Sequence, residues 1–170
     1  MIPLPRDFRE FIQLLNRHRV RYLIVGGYAV GYHGYPRYTG DLDVFVELTQ
    51  KNAEALAEVL RRFGMLEKGG PEKPWLKQGT IVRMGRDPLR LEIMNDIDGV
   101  TFAQCHARRV RANLGGLTVN FISLPDLITN KKASGRYKDL ADVDCLRKPA
   151  EQQARLRQDR KHKPRRKPHP

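Results

Sequence analysis

The sequence predicts a mixed α/β (α+β) domain, a sheet flanked by helices with further helices at its C-terminal end. Three observations predict it. Apolar residues recur at helical spacing in residues 6–18 and 49–63, a strict alternation occupies residues 41–48, and several short apolar runs then precede two helical stretches.

Asp7 followed by Glu10 marks a helix start, and Phe8, Phe11, Ile12 and Leu15 continue it over residues 6–18. The run Val20 to Val25 reads as a buried strand that ends in a Gly26-Gly27 turn, with a short helix through Tyr28, Ala29 and Val30 to His33. In residues 41–48, Leu42, Val44, Val46 and Leu48 lie on one side and Asp41, Asp43, Phe45 and Glu47 on the other. Thr49 caps a helix striped by Ala53, Leu56, Ala57, Leu60 and Phe63 and stopped by Gly64. Residues 65–79 are rich in glycine and proline and read as a loop or rim. Thr80 to Met84 and Leu89 to Met94 form a hairpin; Arg108 to Ala112 and Leu117 to Ile122 form a second pair joined at Gly115-Gly116. Ser123, with Asp126 three residues on, opens a helix through Leu124, Leu127 and Ile128; Gly135 interrupts it, and a last helix carries Tyr137, Leu140, Val143 and Leu146.

The 170 residues fit one folding unit over 1–150 followed by a tail over 151–170. A mean hydropathy of -0.59 and the lack of a long charge-free apolar run exclude a transmembrane helix, so no membrane partner is expected. Cys105 and Cys145 are too few for a disulfide scaffold or a four-cysteine zinc site, and no secretory signal is visible; a reduced, cytoplasmic protein is the expectation. The net charge of +13 attracts polyanions, and +6 of it lies in residues 151–170, where eight Lys/Arg face Glu151 and Asp159. With Leu156 as its one aliphatic side chain beyond Ala154, that tail is expected to be disordered, either as a solubilising extension or as an RNA-holding arm.

Four elements carry chemistry. The cluster GGYAVGYHG fails the dinucleotide fingerprint, because Tyr28 stands where GxGxxG needs glycine, and no P-loop follows. What remains is a strand-ending Gly26-Gly27, a plain turn or a place where backbone N–H groups meet a phosphate. Asp41 and Asp43, two apart on a strand, point the same way with Cα atoms about 6.6 Å apart. Such a pair is either a solvated strand end or a holder of divalent metal ions about 4 Å apart. Glu92 lies opposite the Leu89, Leu91, Ile93 face and joins the aspartates if the strands are neighbours; Asp96 and Asp98, in a turn-like NDIDG, are its rivals. Lys131 falls on the apolar face of its helix, where it either snorkels or faces an anion such as a triphosphate; Lys132 faces solvent.

Gly26-Gly27, Arg37-x-Thr39-x-Asp41-x-Asp43 and Glu92 together resemble the nucleotidyltransferase superfamily with the polymerase-β-like fold. The stretches YLIVGGYAVGYHGYPRYTGDLDVFV and LITNKKASGRYKDLADV are similar to the small bacterial nucleotidyltransferases related to abortive-infection and toxin proteins. The resemblance implies that Gly26 and Gly27 line the phosphate turn and that Asp41 and Asp43 hold Mg²⁺. It further implies that Glu92 is the third acidic residue, for a second Mg²⁺ or for the acceptor's proton, and that Lys131 and Arg37 contact the triphosphate. Arg136 and Asp139 match the second motif, as would an ion pair between helices; His33 matches the core motif, as would a hydrogen-bonded helix-end histidine. The implied reaction moves a nucleoside monophosphate from an NTP such as ATP to an acceptor hydroxyl and releases pyrophosphate. The positive charge favours RNA, with tRNA ends as one case, over a small alcohol or aminoglycoside-like acceptor. The alternatives are a catalytically silent NTP- or RNA-binding module, and a toxin–antitoxin component with an antitoxin-type protein partner.

Overall fold

The computed structural model describes residues 4–66, 77–86 and 89–147. The tail over 151–170 and most of the 65–79 rim lie outside the described residues. The elements run α1 (Arg6–Arg17), β1 (Tyr22–Ile24), α2 (Gly26–Tyr32), β2 (Asp41–Val46), α3 (Gln50–Arg62), β3 (Ile81–Arg86) and β4 (Leu89–Met94). They continue with α4 (Phe102–Ala107), β5 (Val110–Leu114), β6 (Leu117–Phe121), α5 (Leu124–Ser134) and a last helix, α6, over 137–147.

The six strands form one mixed sheet in the order β3-β4-β2-β1-β6-β5. β1 pairs antiparallel with β2 and parallel with β6, β2 pairs parallel with β4, and two antiparallel hairpins, β3-β4 and β5-β6, supply the outer strands. The mixed sheet and its helices are the predicted fold class. In register, Leu42 faces Leu91 and Val44 faces Ile93, and all four are fully buried, so the alternation in β2 and β4 defines one continuous apolar face. On the opposite face the cross-strand rows are Phe45-Met94-Ile81, then Asp43-Glu92-Arg83, then Asp41-Arg90-Gly85. Phe45 is itself buried against Phe102 of α4, ring centroids 5.2 Å apart, so the sheet turns from apolar to charged within one strand.

The helices cover that sheet through the stripes seen in the sequence. Phe8, Phe11, Ile12 and Leu15 of α1 are buried, and Phe11 meets Phe63 edge-on at the end of α3. Thr49 Oγ1 accepts from the Asn52 N–H at the start of α3, and Ser123 Oγ accepts from the Asp126 N–H at the start of α5. Gly135 ends α5 in the left-handed conformation at φ 66°.

Several local expectations are corrected. α1 is capped by Pro5 with no side-chain bond, and Asp7 instead sits in the first turn, where it complements the helix dipole. The strand expected over Val20 to Val25 narrows to Tyr22–Ile24, because Gly26 and Gly27 are the first two residues of α2. α4 is absent from the sequence prediction, although Thr101 accepts from the Gln104 N–H and T-x-x-Q is a capping-box signal. In α6, Val143 and Leu146 are buried, but Tyr137 and Leu140 are exposed, so its apolar stripe is only half used.

Candidate functional site

The charged rows of the sheet floor a cavity of about 520 Å³ whose walls include Gly26 and Gly27, the loop at Arg37 and Thr39, and the facing ends of α5 and α6. Asp43 stands directly across the parallel β2-β4 pair from Glu92, with Asp41 across from Arg90 one row away. β2 and β4 are neighbours, and their register brings Asp41, Asp43 and Glu92 onto one sheet face, which the sequence pattern allowed without requiring. Asp96 and Asp98 also border the cavity, from the turn that follows β4 rather than from a strand.

Asp41 accepts from Arg90 Nε at 2.9 Å and Nη2 at 3.3 Å, and Glu92 Oε1 accepts from Arg83 Nε at 2.7 Å. Asp43 is different. Its carboxylate accepts from the Gly27 N–H rather than from a guanidinium, and burial, reinforced by Glu92 and Asp41, pushes its carboxyl up to about 6. Among the described residues no three His, Cys, Asp or Glu side chains are assembled as a ready cation cage.

The two glycines have a steric reason to be there. Gly26 sits at φ +58°, and a Cβ on it would lie 1.8 Å from Asp43 Oδ2; a Cβ on Gly27 would lie 2.6 Å from Thr39 Oγ1. The strand-to-helix turn and the carboxylate strand therefore touch backbone to side chain, which only glycine allows. His33 closes the same helix, its Nε2 2.8 Å from the Ile122 carbonyl, and burial holds its pKa below the usual value. It is a helix-end histidine bonded to the backbone.

Lys131 is neither snorkelled nor solvated. It is 3% exposed, and its Nζ lies 2.6 Å from Asp139 Oδ1 and 2.8 Å from Asp142 Oδ2. Arg37 clamps Asp142 through Nε at 2.8 Å and Nη2 at 2.9 Å, and Arg136 Nε reaches Asp139 Oδ2 at 2.6 Å. Burial opposes charge on Asp139, but the bonds from Lys131, Ser134 and Arg136 outweigh it and bring its carboxyl down to about 2. This cluster ties the 35–39 loop, α5 and α6 into one wall of the cavity. Asp142 was not singled out in the sequence; its signal was the i, i+3 spacing from Asp139, which puts both carboxylates on the α6 face toward Lys131. Arg83 and Arg90 were also missed, because the pairing that sets them beside the carboxylates is visible only in the register.

A mixed sheet carrying three carboxylates beside a glycine-built strand-to-helix turn is the arrangement that the resemblance to the nucleotidyltransferases implies. The chain is a member of the family described as "Nucleotidyl transferase of unknown function (DUF2204)", whose profile matches residues 5–167. It is similar in fold to a Thermotoga maritima protein assigned to the nucleotidyltransferases, with a TM-score of 0.54 and 16% identity over 86% of this chain and 92% of that one. An antigenic nucleotidyltransferase-like protein of Paracoccidioides brasiliensis aligns with a TM-score of 0.50 and 19% identity over 85% of this chain and 78% of that one. The antibiotic-resistance factor ANT(2'')-Ia aligns with a TM-score of 0.50 and 15% identity over 92% of this chain and 96% of that one. No curated protein sequence matches the chain.

Proposed function

We propose that the protein transfers a nucleoside monophosphate from an NTP to an acceptor hydroxyl, and that Asp41, Asp43 and Glu92 are its catalytic carboxylates. The observation that carries this reading is the direct pairing of Asp43 with Glu92 on the cavity floor, beside Asp41 and against Gly26. The donor set fits a hard divalent cation. Three carboxylates supply oxygen ligands, and the charge on Asp43, opposed chiefly by burial and then by its neighbours Glu92 and Asp41, is one that a cation would stabilise. Mg²⁺, two ions in the full reaction, would be held by Asp41, Asp43 and Glu92 and would neutralise charge on the phosphates and polarise the reacting phosphoryl group.

The chain's own residues do the rest. Gly26 and Gly27 line the cavity and leave room for the Asp43 carboxylate and Thr39 to lie directly against the strand-to-helix turn, where the phosphates would be held. Ile81, Met94 and Ile97 give the same cavity an apolar wall against which a base can lie. Lys131 and Arg37, held by Asp139 and Asp142, supply positive charge to the triphosphate from the opposite wall. The acceptor oxygen bonds to the α-phosphorus as the bond to pyrophosphate breaks, and Glu92 takes the hydroxyl proton.

The acceptor in this reading is RNA, tRNA ends included, supported by the net charge of +13 and the basic residues beyond position 150. We place the protein in the cytoplasm, with its two cysteines free. No helix among the described residues is long and apolar enough to cross a membrane. The resemblance to toxin-type proteins adds an antitoxin-type protein partner to the proposal, which co-purification with the tagged chain tests.

Incubation with each α-labelled NTP, Mg²⁺ and total RNA or cell extract tests the reaction, beside Asp41→Ala/Asp43→Ala. Label on RNA that the double variant loses supports the full reading. Label on a small molecule keeps the chemistry and replaces the acceptor. A second reading, a silent binding module, is favoured by the arginine pairing of Asp41 and Glu92; NTP binding without label transfer in the presence of every acceptor fraction would establish it.

A further inference from the structure

Arg83 and Arg90 are absent from the motifs that define the site, yet they hold two of its three carboxylates. Arg90 covers both oxygens of Asp41, and Arg83 holds Oε1 of Glu92. These are the same lone pairs that a divalent cation would need, so cation and guanidinium compete for one set of oxygens. Both arginines are strand residues. Arg83 lines the cavity and lies opposite Glu92 across the β3-β4 hairpin, while Arg90 lies opposite Asp41 and two residues from Glu92, so the strand register tethers both arginines beside the carboxylates when they are displaced. Their side chains are 63% and 42% exposed, which leaves each guanidinium room to turn toward the cavity.

Resting on the nucleotidyltransferase reading of this site, we infer that Arg83 and Arg90 are exchangeable counter-ions that become ligands of the NTP triphosphate. When a metal ion takes the carboxylates, the two guanidiniums are released beside the phosphates that arrive with it. A planar guanidinium is suited to phosphate oxygens, and the exchange keeps Asp41, Glu92 and both guanidiniums partnered throughout. Metal and nucleotide binding are thereby coupled: the arginines oppose metal alone and favour metal together with triphosphate.

The coupling gives opposite signs in two binding measurements. Mn²⁺ alone is titrated by electron paramagnetic resonance, and Mg²⁺ with inorganic triphosphate by calorimetry, on the full chain and on Arg83→Gln and Arg90→Gln separately. Removing either arginine should tighten Mn²⁺ roughly two- to fivefold, the strength of a partly exposed ion pair. It should weaken Mg²⁺-triphosphate about tenfold or more, the loss of a charge-assisted phosphate contact. Affinities that move in the same direction, or triphosphate affinity that stays put in both variants, overturn the inference while leaving the nucleotide site standing. A wild-type chain that binds neither probe overturns the nucleotide site itself. Arg83 projects from a sheet-edge strand, so Arg83→Gln keeps the test open should Arg90→Gln misfold.

Discussion

Asp43 and Glu92 face each other across two parallel strands, and the Asp43 carboxylate is bonded by the Gly27 N–H instead of a guanidinium. Two carboxylates in one cross-strand row repel at close range, and burial adds to the cost. The protein bears this cost at the point where its chemistry is proposed, which is where strain of this kind is expected.

Asp43→Asn should therefore stabilise the metal-free protein while abolishing label transfer. With its carboxyl raised to about 6, Asp43 is most compatible with folding when protonated. Its contribution is fully present below about pH 4 and is lost as pH rises through 6. Urea denaturation across pH 4–8 without divalent cations should show the variant gaining about 1–2 kcal/mol over wild type through that interval and holding the gain above it. This is less than the roughly 3 kcal/mol that two pKa units represent, because solvent screens part of the effect. Added Mg²⁺ should stabilise wild type and leave the variant unmoved.

Gly26→Ala should disable the site more than Gly27→Ala. At position 26 a methyl group lands on the Asp43 carboxylate and the φ of +58° is unfavourable for alanine, whereas at position 27 the collision is with Thr39 alone. The backbone term is about 1–2 kcal/mol. Thermal unfolding should rank wild type, Gly27→Ala and Gly26→Ala in falling order, and Gly26→Ala should lose Mg²⁺-dependent triphosphate binding even where it remains folded.

The carboxylate triad was legible because β2 is a strand with one apolar and one charged face, a period-two pattern that needs no tertiary information. The place of Glu92 beside Asp43 became visible only with the register, since LEI fits the pattern equally well wherever its strand lies in the sheet. The same register hides Arg83 and Arg90, whose partners are 9 and 49 residues away in sequence. Lys131 was recognisable as misplaced on an apolar face, but its partners, Asp139 and Asp142, belong to a different helix, and no local rule joins the two. α4 was missed for a different reason: six residues are too few for a helical period to emerge, and its capping signal alone stood out weakly.

Lys131→Met should be strongly destabilising, since it strips Asp139 and Asp142 of the cation they share in a buried setting. Arg37 and Arg136 still pair with them, which places the expected loss near 3 kcal/mol, at the lower end for a broken buried pair. Lys131→Met/Asp139→Asn should recover part of it. The lowered pKa of Asp139, about 2, also fixes a direction in wild type. Its stabilisation is present above about pH 4 and lost as pH falls through 2. Acid titration of Lys131→Met should show a shallower loss over that window than wild type.

The basic residues beyond position 150 separate the two kinds of acceptor. Eight Lys/Arg in 151–170 can release counterions from RNA, at a slope of about -0.7 per phosphate contacted on single strands. If they dock the acceptor, a chain ending at residue 150 should bind RNA with a salt slope shallower by up to about 6. Its KM for RNA should rise, and its affinity for Mg²⁺-triphosphate should stay unchanged, because every residue proposed to hold the nucleotide precedes position 150. An unchanged salt slope, with label transfer to RNA intact, would assign RNA docking to residues 1–150, which carry the remaining +7. Intact transfer to a small hydroxylated acceptor, with RNA ignored by both chains, would remove RNA from the reading and leave the carboxylate site as argued.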